Sequence, residues 1–407
     1  MQRRHYWRWA GSLLILASAL GNEAWASWDG DPTLDDVNFN LESFIDINSY
    51  QFRRSEEIQW YDVENGLRLA TGSLETDFLY LFTDLRLKQE ITPNLVARLW
   101  LAEEEFYTPR NFPRPLMELE LRPTAYPLSL SLIGTPAYAK READLGLAAT
   151  LGQRPWNFLR LAWLNADNYF NEKNDLDDSF YRQEPSQLSV EAALQWQDRY
   201  KLRIWWQDND SLEFVLADQL GVFAYTNQNY RATFDYRADP QQNYGIAVRG
   251  FETDQSLDDG VSPHSQDIRY FSVDGYWIRD LDHGDEWTLG IRYDDFVNEE
   301  RTPSDGTTSF DFTYSTLQVY TTYYHPFRAH QAWELGLHLG QATQEQDNLD
   351  PSLADTKQER IEAKLRTGWE LFSIDRTSAL ALAVSFNLDE ISSDPFDGGS
   401  VRFRSQF

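Results

Sequence analysis

The sequence predicts an all-β fold, a single transmembrane antiparallel β-barrel of about eighteen strands, and three observations support it. Apolar and polar residues alternate with period two along most of the chain. Short, turn-rich connections alternate with longer acidic ones, and the chain stops at the end of an alternating strand, on Phe407. Such alternation gives each strand one face for hydrocarbon and one for the interior, as a closed sheet in a bilayer requires.

Residues 1–26 have the composition of a secretory signal peptide. Arginines precede the apolar run Gly11–Leu20, and an A-x-A site ends at Ala26. The run is about half the ~20 residues that a membrane-spanning helix needs. We therefore expect cleavage after Ala26, a periplasmic N-terminal segment over 27–36 and a barrel over 37–407.

Composition narrows the class of protein further. The formal net charge of −29 is far too acidic for general nucleic-acid binding, so we expect no nucleic-acid partner. The chain has no cysteine, which excludes disulfides and a lipid-modified N-terminal cysteine. Aromatic residues make up 15% of the chain, and a barrel needs them as girdles at both membrane interfaces.

Individual strands are visible as alternating segments of about nine or ten residues, the length of a tilted strand that crosses the outer membrane. Leu79–Lys88 and Leu188–Trp196 are good examples. Short turns are predicted near Thr92–Asn94, Pro123–Pro127, Arg154–Trp156, Gln197–Tyr200, Asp239–Asn243, Asp280–Asp285, Pro326–His330 and Ile374–Ser378. Longer loops are predicted at Ser49–Gly72, Tyr107–Arg114, Gly134–Glu142, Asn168–Ser186, Asp208–Asn227, Thr253–Gln266, Asn298–Phe310, Gln344–Gln358 and Ile391–Gly399.

These eight turns and nine loops separate eighteen strands and place both chain ends in the periplasm, with the longer loops outside the cell. The region Asp208–Asn227 is the least regular. It is either one long loop, which can fold into the lumen, or it hides an additional hairpin over Ser211–Tyr225. Sixteen and twenty strands therefore remain as alternatives.

The last strand carries the most specific signal. Val401, Phe403, Ser405 and Phe407 alternate with polar residues, and the chain ends there. This pattern resembles the C-terminal signature of Gram-negative outer-membrane proteins, with Phe403 and Phe407 as the residues that the barrel-assembly machinery reads. The resemblance implies a place in the cell outer membrane, among lipid and lipopolysaccharide. The strand pattern is compatible with porin-like channels and is similar to the alginate-export type of barrel, and no family-specific motif chooses between them.

The inward rows of the predicted strands carry sixteen basic and ten acidic residues, although acids predominate in the whole chain. Eleven of these basic residues are predicted to form an anion path along the lumen: Arg86, Lys88, Arg98, Arg203, Arg231, Arg249, Arg292, Arg360, Arg366, Arg402 and Arg404. Either these cations brace the wall in cross-strand ion pairs, or they form a field that favours anions. Inward aromatic residues, which either stack on sugar rings or fill space, are Tyr80, Trp205, Tyr270, Tyr276 and Tyr320.

Signals for chemistry are weak. His338 shares an inward row with Glu334, but no G-x-S-x-G or H-E-x-x-H motif accompanies the pair. Because these catalytic motifs are absent, we expect no enzyme activity and no cofactor. The acidic loops lack the residue spacing of a calcium site, so we expect no metal. The sequence predicts a channel that passes small anionic solutes or exports an acidic polysaccharide. The alternative is a non-conducting structural or surface-binding barrel, such as a partner of an exopolysaccharide system.

Overall fold

Strands make up most of the chain in the computed structural model, which describes residues 52–74, 78–104, 114–123, 127–135, 144–165, 180–183, 186–215, 221–258, 263–302, 309–349, 352–389, 391–392 and 395–407. The predicted signal peptide, 1–26, and the predicted segment 27–36 lie outside these ranges. Among the described residues, no helix is long and apolar enough to cross a membrane.

The described elements begin with a short helix, α1 (Arg54–Trp60), and continue as strands. The strands are β1 (Gly66–Leu74), β2 (Phe78–Thr92), β3 (Leu95–Glu104), β4 (Arg114–Leu121), β5 (Leu128–Thr135), β6 (Asp144–Gln153), β7 (Trp156–Asn165), β8 (Phe180–Gln183), β9 (Ser186–Trp196), β10 (Tyr200–Val215), β11 (Val222–Asp239), β12 (Gln242–Asp258), β13 (His264–Asp280), β14 (Glu286–Arg301), β15 (Phe310–Arg328), β16 (Gln331–Asn348), β17 (Thr356–Phe372), β18 (Ser378–Asn387) and β19 (Phe396–Gln406). A single 3-10 turn, Asp282–Gly284, separates β13 from β14.

The strands form one antiparallel sheet that closes on itself, because β1 pairs with β2 on one side and with β19 on the other. Both β8 and β9 pair with β10, β8 along Glu213–Val215 and β9 along Tyr200–Asn209. These two segments therefore share one position in the wall, and the barrel has eighteen strand positions. The predicted closed barrel of about eighteen strands is confirmed.

The predicted turns fall between consecutive paired strands. Only Pro93 and Asn94 separate β2 from β3, and only Arg154 and Pro155 separate β6 from β7. We call this the turn end of the barrel and the opposite rim the loop end. The ends of the chain's described barrel meet at the turn end, where Gly66 pairs with Gln406.

Residues 37–51 of the predicted barrel lie outside the described residues. For residues 52–72, the predicted loop Ser49–Gly72 is wrong, because these residues include helix α1 and most of strand β1. Leu67 and Leu69 alternate with Arg68 and Ala70 along β1, but a run of charged residues precedes this short alternation and hides it. Only residues 75–77 separate β1 from β2. The barrel thus keeps the predicted number of strand positions, with β1 as the first described strand.

Residues 208–215 and 222–227 of the predicted loop Asp208–Asn227 lie in the wall, within β10 and β11, and these described residues form no additional hairpin. Strand β10 continues to Val215, and Leu212–Val215 pairs with Val222–Tyr225 of β11. A register shift between Asn209 and Leu212 interrupts the period-two pattern, and this explains why the sequence there reads as a loop. Pairing continues on both sides of the irregularity, so the two strands are longer than predicted.

Candidate functional site

The described strands present mainly apolar residues outward, and their inward rows carry buried polar residues together with a buried apolar cluster that includes Phe82, Phe251 and Phe296. On β5, Leu130 and Leu132 are more than half exposed, whereas the intervening Ser131 is buried. The hydroxyl of Ser131 donates a hydrogen bond to Glu118 Oε1 at 2.6 Å on the neighbouring strand β4. Leucines that face outward on a closed sheet are suited to hydrocarbon, while buried serine and glutamate define a polar interior.

Residues 52–65, which we call the lumen segment, cross this interior. The Trp60 indole N–H donates to Asp84 Oδ2 on β2 at 2.7 Å. The Ser55 hydroxyl donates to Glu286 Oε1 on β14 at 2.8 Å. Because β2 and β14 lie far apart in the strand order, the segment joins opposite parts of the wall.

The first anchor of the lumen segment is the buried Trp60 ring. The guanidinium carbons of Arg68 and Arg86 lie 4.7 and 5.4 Å from the ring centroid. Both arginines also pair with Asp84, at 3.1 and 3.0 Å, so the carboxylate that accepts from Trp60 is shared with two cations. Cation–π contacts and a charge-assisted hydrogen bond together fix the indole against β1 and β2.

A second anchor forms around Asp62. Its carboxylate accepts a hydrogen bond from the Trp156 indole at 2.6 Å and lies 3.0 Å from the Lys201 ammonium. Arg203 donates to the Tyr61 carbonyl at 2.9 Å and lies 4.3 Å from the centroid of the Trp156 ring. This anchor fastens the end of α1 to β7 and β10.

The third anchor holds the start of α1. Arg53 pairs with Glu56 at 2.9 Å, and its guanidinium carbon lies 3.5 Å from the centroid of the Tyr324 ring on β15. Glu56 also lies 3.2 Å from Arg404 of β19. Burial tends to raise the pKa of the Glu56 carboxyl, but Arg53 and Arg404 outweigh it and hold that pKa well below its usual range. Glu56 is therefore a buried carboxylate that stays charged because its cations stay close. Nearby, Arg54 pairs with Asp274 of β13.

Sequence reasoning missed the lumen segment, although one local signal was present. Arg53 and Arg54 precede Glu56 and Glu57 at a spacing of three residues, and the structure shows both pairs. Opposite charges three residues apart stabilise a turn of helix. This spacing therefore indicates a short helix where we predicted a loop.

Most of the predicted basic residues lie in ion pairs. The pairs are Arg86 with Asp84, Lys88 with Glu64, Arg98 with Glu120, Arg203 with Asp62, Arg292 with Asp294, Arg360 with Glu362, Arg366 and Arg402 with Glu334, and Arg404 with Glu370 and Glu56. Arg249 donates to the Tyr270 hydroxyl at 3.4 Å. Arg98, Arg366, Arg402 and Arg404 pair with acids on other strands and so brace the wall. Arg86, Arg292 and Arg360 pair with an acid two residues away on their own strand, and Lys88 and Arg203 pair with the lumen segment.

The strand register also sets basic residues directly against one another. The opposed pairs are Arg68 with Arg404, Lys88 with Arg98, and Arg231 with Arg249. Near the turn end, Asp280 stands opposite Glu286, and Arg53 lies 3.6 Å from Glu286. Like charges directly opposite destabilise a sheet pair, so each opposed set needs neighbouring counter-charge.

The predicted lumen aromatic residues mostly support the wall. The hydroxyls of Tyr270, Tyr276 and Tyr320 donate to Asp294, Asp235 and Asp274 at 2.7, 2.6 and 2.9 Å. The rings of Tyr276 and Tyr320 lie over Gly245 and Gly290, where an added Cβ would come within 2.2 and 2.1 Å of a ring atom. Tyrosines placed over strand glycines fill space that a missing side chain leaves open.

Other predicted site residues are placed as follows. Trp205 is half-buried on β10, and Phe403 lies opposite Leu69 in the pairing of β1 with β19. The side chain of Tyr80 lies outside the described part of the structure. Phe407 is exposed, and its backbone N–H donates to the Asn65 carbonyl at 3.2 Å, next to the lumen segment.

The pair His338 and Glu334 lacks the geometry of a general base. The imidazole stacks on Tyr320 with centroids 5.5 Å apart. Glu334 is instead 3.2 Å from Arg402 and 3.9 Å from Arg366. Within the described ranges, no group of three or more His, Cys, Asp or Glu residues is arranged to hold a metal ion.

A closed barrel with an apolar exterior and a polar, ion-paired interior defines the class of this protein. It is an antiparallel β-barrel of eighteen strand positions, of the kind that spans a membrane with strands.

Comparisons with known proteins find similarity to several solved structures. No protein-family model matches the chain, and no curated protein matches it. Among solved structures, OccAB3 of Acinetobacter baumannii is similar, with 11% identity, 84% of this chain and 98% of that chain covered, and a TM-score of 0.41. The outer membrane protein opdK of Pseudomonas aeruginosa has 14% identity, 84% and 97% coverage and a TM-score of 0.38. A bacterial polysaccharide outer membrane secretin has 10% identity, 85% and 100% coverage and a TM-score of 0.37.

Proposed function

We propose that the protein is an outer-membrane channel for small anionic solutes. The observation that carries the proposal is the set of basic pairs that stand directly opposite each other on the inner wall, such as Arg231 with Arg249 and Lys88 with Arg98. Opposed cations are unfavourable in a purely structural wall. In a channel they concentrate positive potential where an anion passes, and guanidinium groups match carboxylate and phosphate in shape.

Carboxylates of the lumen segment support this proposal, because they already bind wall cations. Glu64 lies 2.6 Å from Lys88, and Glu56 lies 3.2 Å from Arg404. Both cations belong to the opposed basic pairs. The lumen segment thus places carboxylates where those of a solute would bind, and a passing anion competes with it for the same cations.

The size of the solute follows from the same segment. Trp60 is fixed to β2 and Ser55 to β14, so the lumen segment crosses the path of any long polymer. A small anion needs only the space beside the segment, whereas export of an acidic polysaccharide would require the segment to leave. Small solutes are therefore favoured over a polysaccharide.

Ion selectivity in planar bilayers tests the proposal. Under a KCl gradient, the reversal potential of the purified protein should have the sign of a chloride-preferring pore. A potassium-preferring pore would overturn it. The ion pairs that join the lumen segment to opposite walls favour a second candidate, a non-conducting structural or surface-binding barrel, and a correctly folded but silent barrel would support that candidate.

Catalysis forms no part of the proposal, since arginines engage Glu334 beside His338.

We further propose that Phe403 and Phe407 form the signal for the barrel-assembly machinery and that residues 1–26 are removed on export. The exposed Phe407 at the end of β19 supports the former. Mass spectrometry of the protein extracted from the outer membrane checks the latter, because the expected N-terminus is Ser27.

A further inference from the structure

A cavity of about 520 Å³ opens at the turn end, between the lumen segment and the wall. Its lining includes Gln59, Tyr324, Arg328, Phe372, Arg376 and Arg404. A volume of this size lies within the range of roughly 300–1,000 Å³ that small-molecule sites occupy. We call it the turn-end cavity.

The turn-end cavity is positively charged. Three arginines line it, and no aspartate or glutamate is among its lining residues in the described chain. Arg404 is balanced by Glu370 at 3.1 Å and by Glu56 at 3.2 Å. Arg328 and Arg376 form no ion pair with any carboxylate that the structure describes, so two guanidinium charges at the cavity remain without a carboxylate partner.

The acid next to Arg376 in the sequence does not neutralise it. Asp375 accepts hydrogen bonds from the Ser373 hydroxyl at 2.6 Å and from the Thr377 hydroxyl at 2.9 Å, so its carboxylate is used within the turn. Arg376 has a φ of 57°, an unusual conformation for a residue with a side chain. Its guanidinium carbon lies 5.8 Å from the centroid of the Phe372 ring, another lining residue.

We propose that the turn-end cavity binds small multivalent anions, such as polycarboxylates or phosphate esters, through Arg328 and Arg376. Guanidinium groups donate paired hydrogen bonds that fit carboxylate and phosphate, and Gln59 adds a neutral amide to the lining. The site's position on a solute path rests on the proposed channel function, but binding itself does not. The turn-end cavity thus holds an anion beside the lumen segment.

Calorimetric titration of citrate into the full-length protein, folded in an uncharged detergent, tests the site. Citrate should bind once per chain, and acetate at equal ionic strength should bind far more weakly. The double variant R328Q/R376Q should bind citrate at least about tenfold more weakly, because hydrogen bonds to charged groups contribute enough for that factor. Arg199→Gln is the matched control, since Arg199 is an exposed arginine in another turn at the same end and does not line the cavity.

Several outcomes overturn the site. One is the absence of citrate binding, and another is an equal loss in the R328Q/R376Q and R199Q variants. If citrate binding disappears when phosphatidylglycerol is added to the detergent, the arginines serve lipid headgroups instead. The single variants R328Q and R376Q provide the same comparison should the double variant misfold. Reversal potentials separate this proposal from the channel function: citrate binding by a potassium-preferring pore would refute the function and leave the site standing.

Discussion

Replacing Trp60 tests whether the lumen segment limits conduction. The Trp60 side chain is 3% exposed, contacts two arginines and donates to Asp84, so it is the most completely enclosed anchor of the segment. Truncation of a buried tryptophan to alanine typically costs about 3–5 kcal/mol. If that free energy holds the segment across the lumen, Trp60→Ala should raise the population of the released state by roughly 150- to 5,000-fold.

The phenylalanine variant separates the two contributions of the indole. Trp60→Phe keeps a ring beside Arg68 and Arg86 but removes the hydrogen bond to Asp84, which retains both arginines as partners. A hydrogen bond to a charged group contributes about 1.5–3 kcal/mol, so the population of the released state should rise about 10- to 150-fold.

Single-channel recording measures the effect as the fraction of time in a high-conductance state. Trp163→Ala is the matched control, because Trp163 is 50% exposed on the outer face of β7. Heat-dependent mobility on denaturing gels checks that each variant is a folded barrel. If Trp60→Ala is folded and its current matches that of the unaltered protein, the lumen segment does not control the pore and our reasoning is refuted.

Three further predictions concern the wall and one turn. Arg249→Glu should shift the reversal potential toward cation preference, because it breaks the opposed basic pair with Arg231; an unchanged potential would remove these residues from the ion path. Gly290→Ala should destabilise the barrel by roughly 1–3 kcal/mol in thermal unfolding, since the new Cβ would meet the Tyr320 ring, and G290A/Y320A should recover part of that loss. The Tyr323 hydroxyl hydrogen bond holds the pKa of the Asp285 carboxyl below its usual range, so this group stabilises the fold above the ordinary aspartate pKa and the contribution is lost as pH falls through the lowered value. Asp285→Asn should therefore lower the unfolding temperature at neutral pH, with a difference that shrinks in acid.

Turns and strands that are set by adjacent residues could be predicted from the sequence, and they make up most of the barrel wall. The turn at Pro93 and Asn94 follows from its residue types, and the exposed Leu130 and Leu132 follow from period two. Local patterns fail where a strand is short and follows charged residues, as β1 does. Its leucines alternate for too few positions to stand out from the segment before it.

Ion pairs that reach over a strand could not be predicted, since they depend on barrel curvature. Arg404 of β19 pairs with Glu370 of β17, across β18. The inner row of β18 carries the buried alanines Ala379 and Ala381, which leave room for the arginine to pass. No sequence pattern indicates that Arg404 pairs with Glu370, because the two residues come together only when the sheet forms. The path of the lumen segment is equally inaccessible, because no periodicity encodes where Trp60 meets Asp84.

The chemistry of the anchors indicates how firmly the lumen segment is held. The side chain of Asp62 is 43% exposed, and its contact with Lys201 is one that solvent and salt screen. The side chain of Asp84, at 6% exposure, is shielded with its cations and with Trp60. The two anchors should therefore respond differently to ionic strength, and the anchor around Asp62 should weaken before the anchor at Trp60.

This difference predicts a dependence of conductance on salt that a rigid pore does not show. The Debye length falls from about 10 Å at 0.1 M salt to about 3 Å at 1 M, so the Asp62 anchor should loosen over this range while the Trp60 anchor persists. Conductance should then rise more steeply than the conductivity of the bath. In Asp62→Asn the anchor around residue 62 is already weakened. The conductance of this variant should therefore rise in proportion to the conductivity of the bath. An identical salt dependence in both proteins would show that the contact between Asp62 and Lys201 does not restrain the segment, whatever Trp60 contributes.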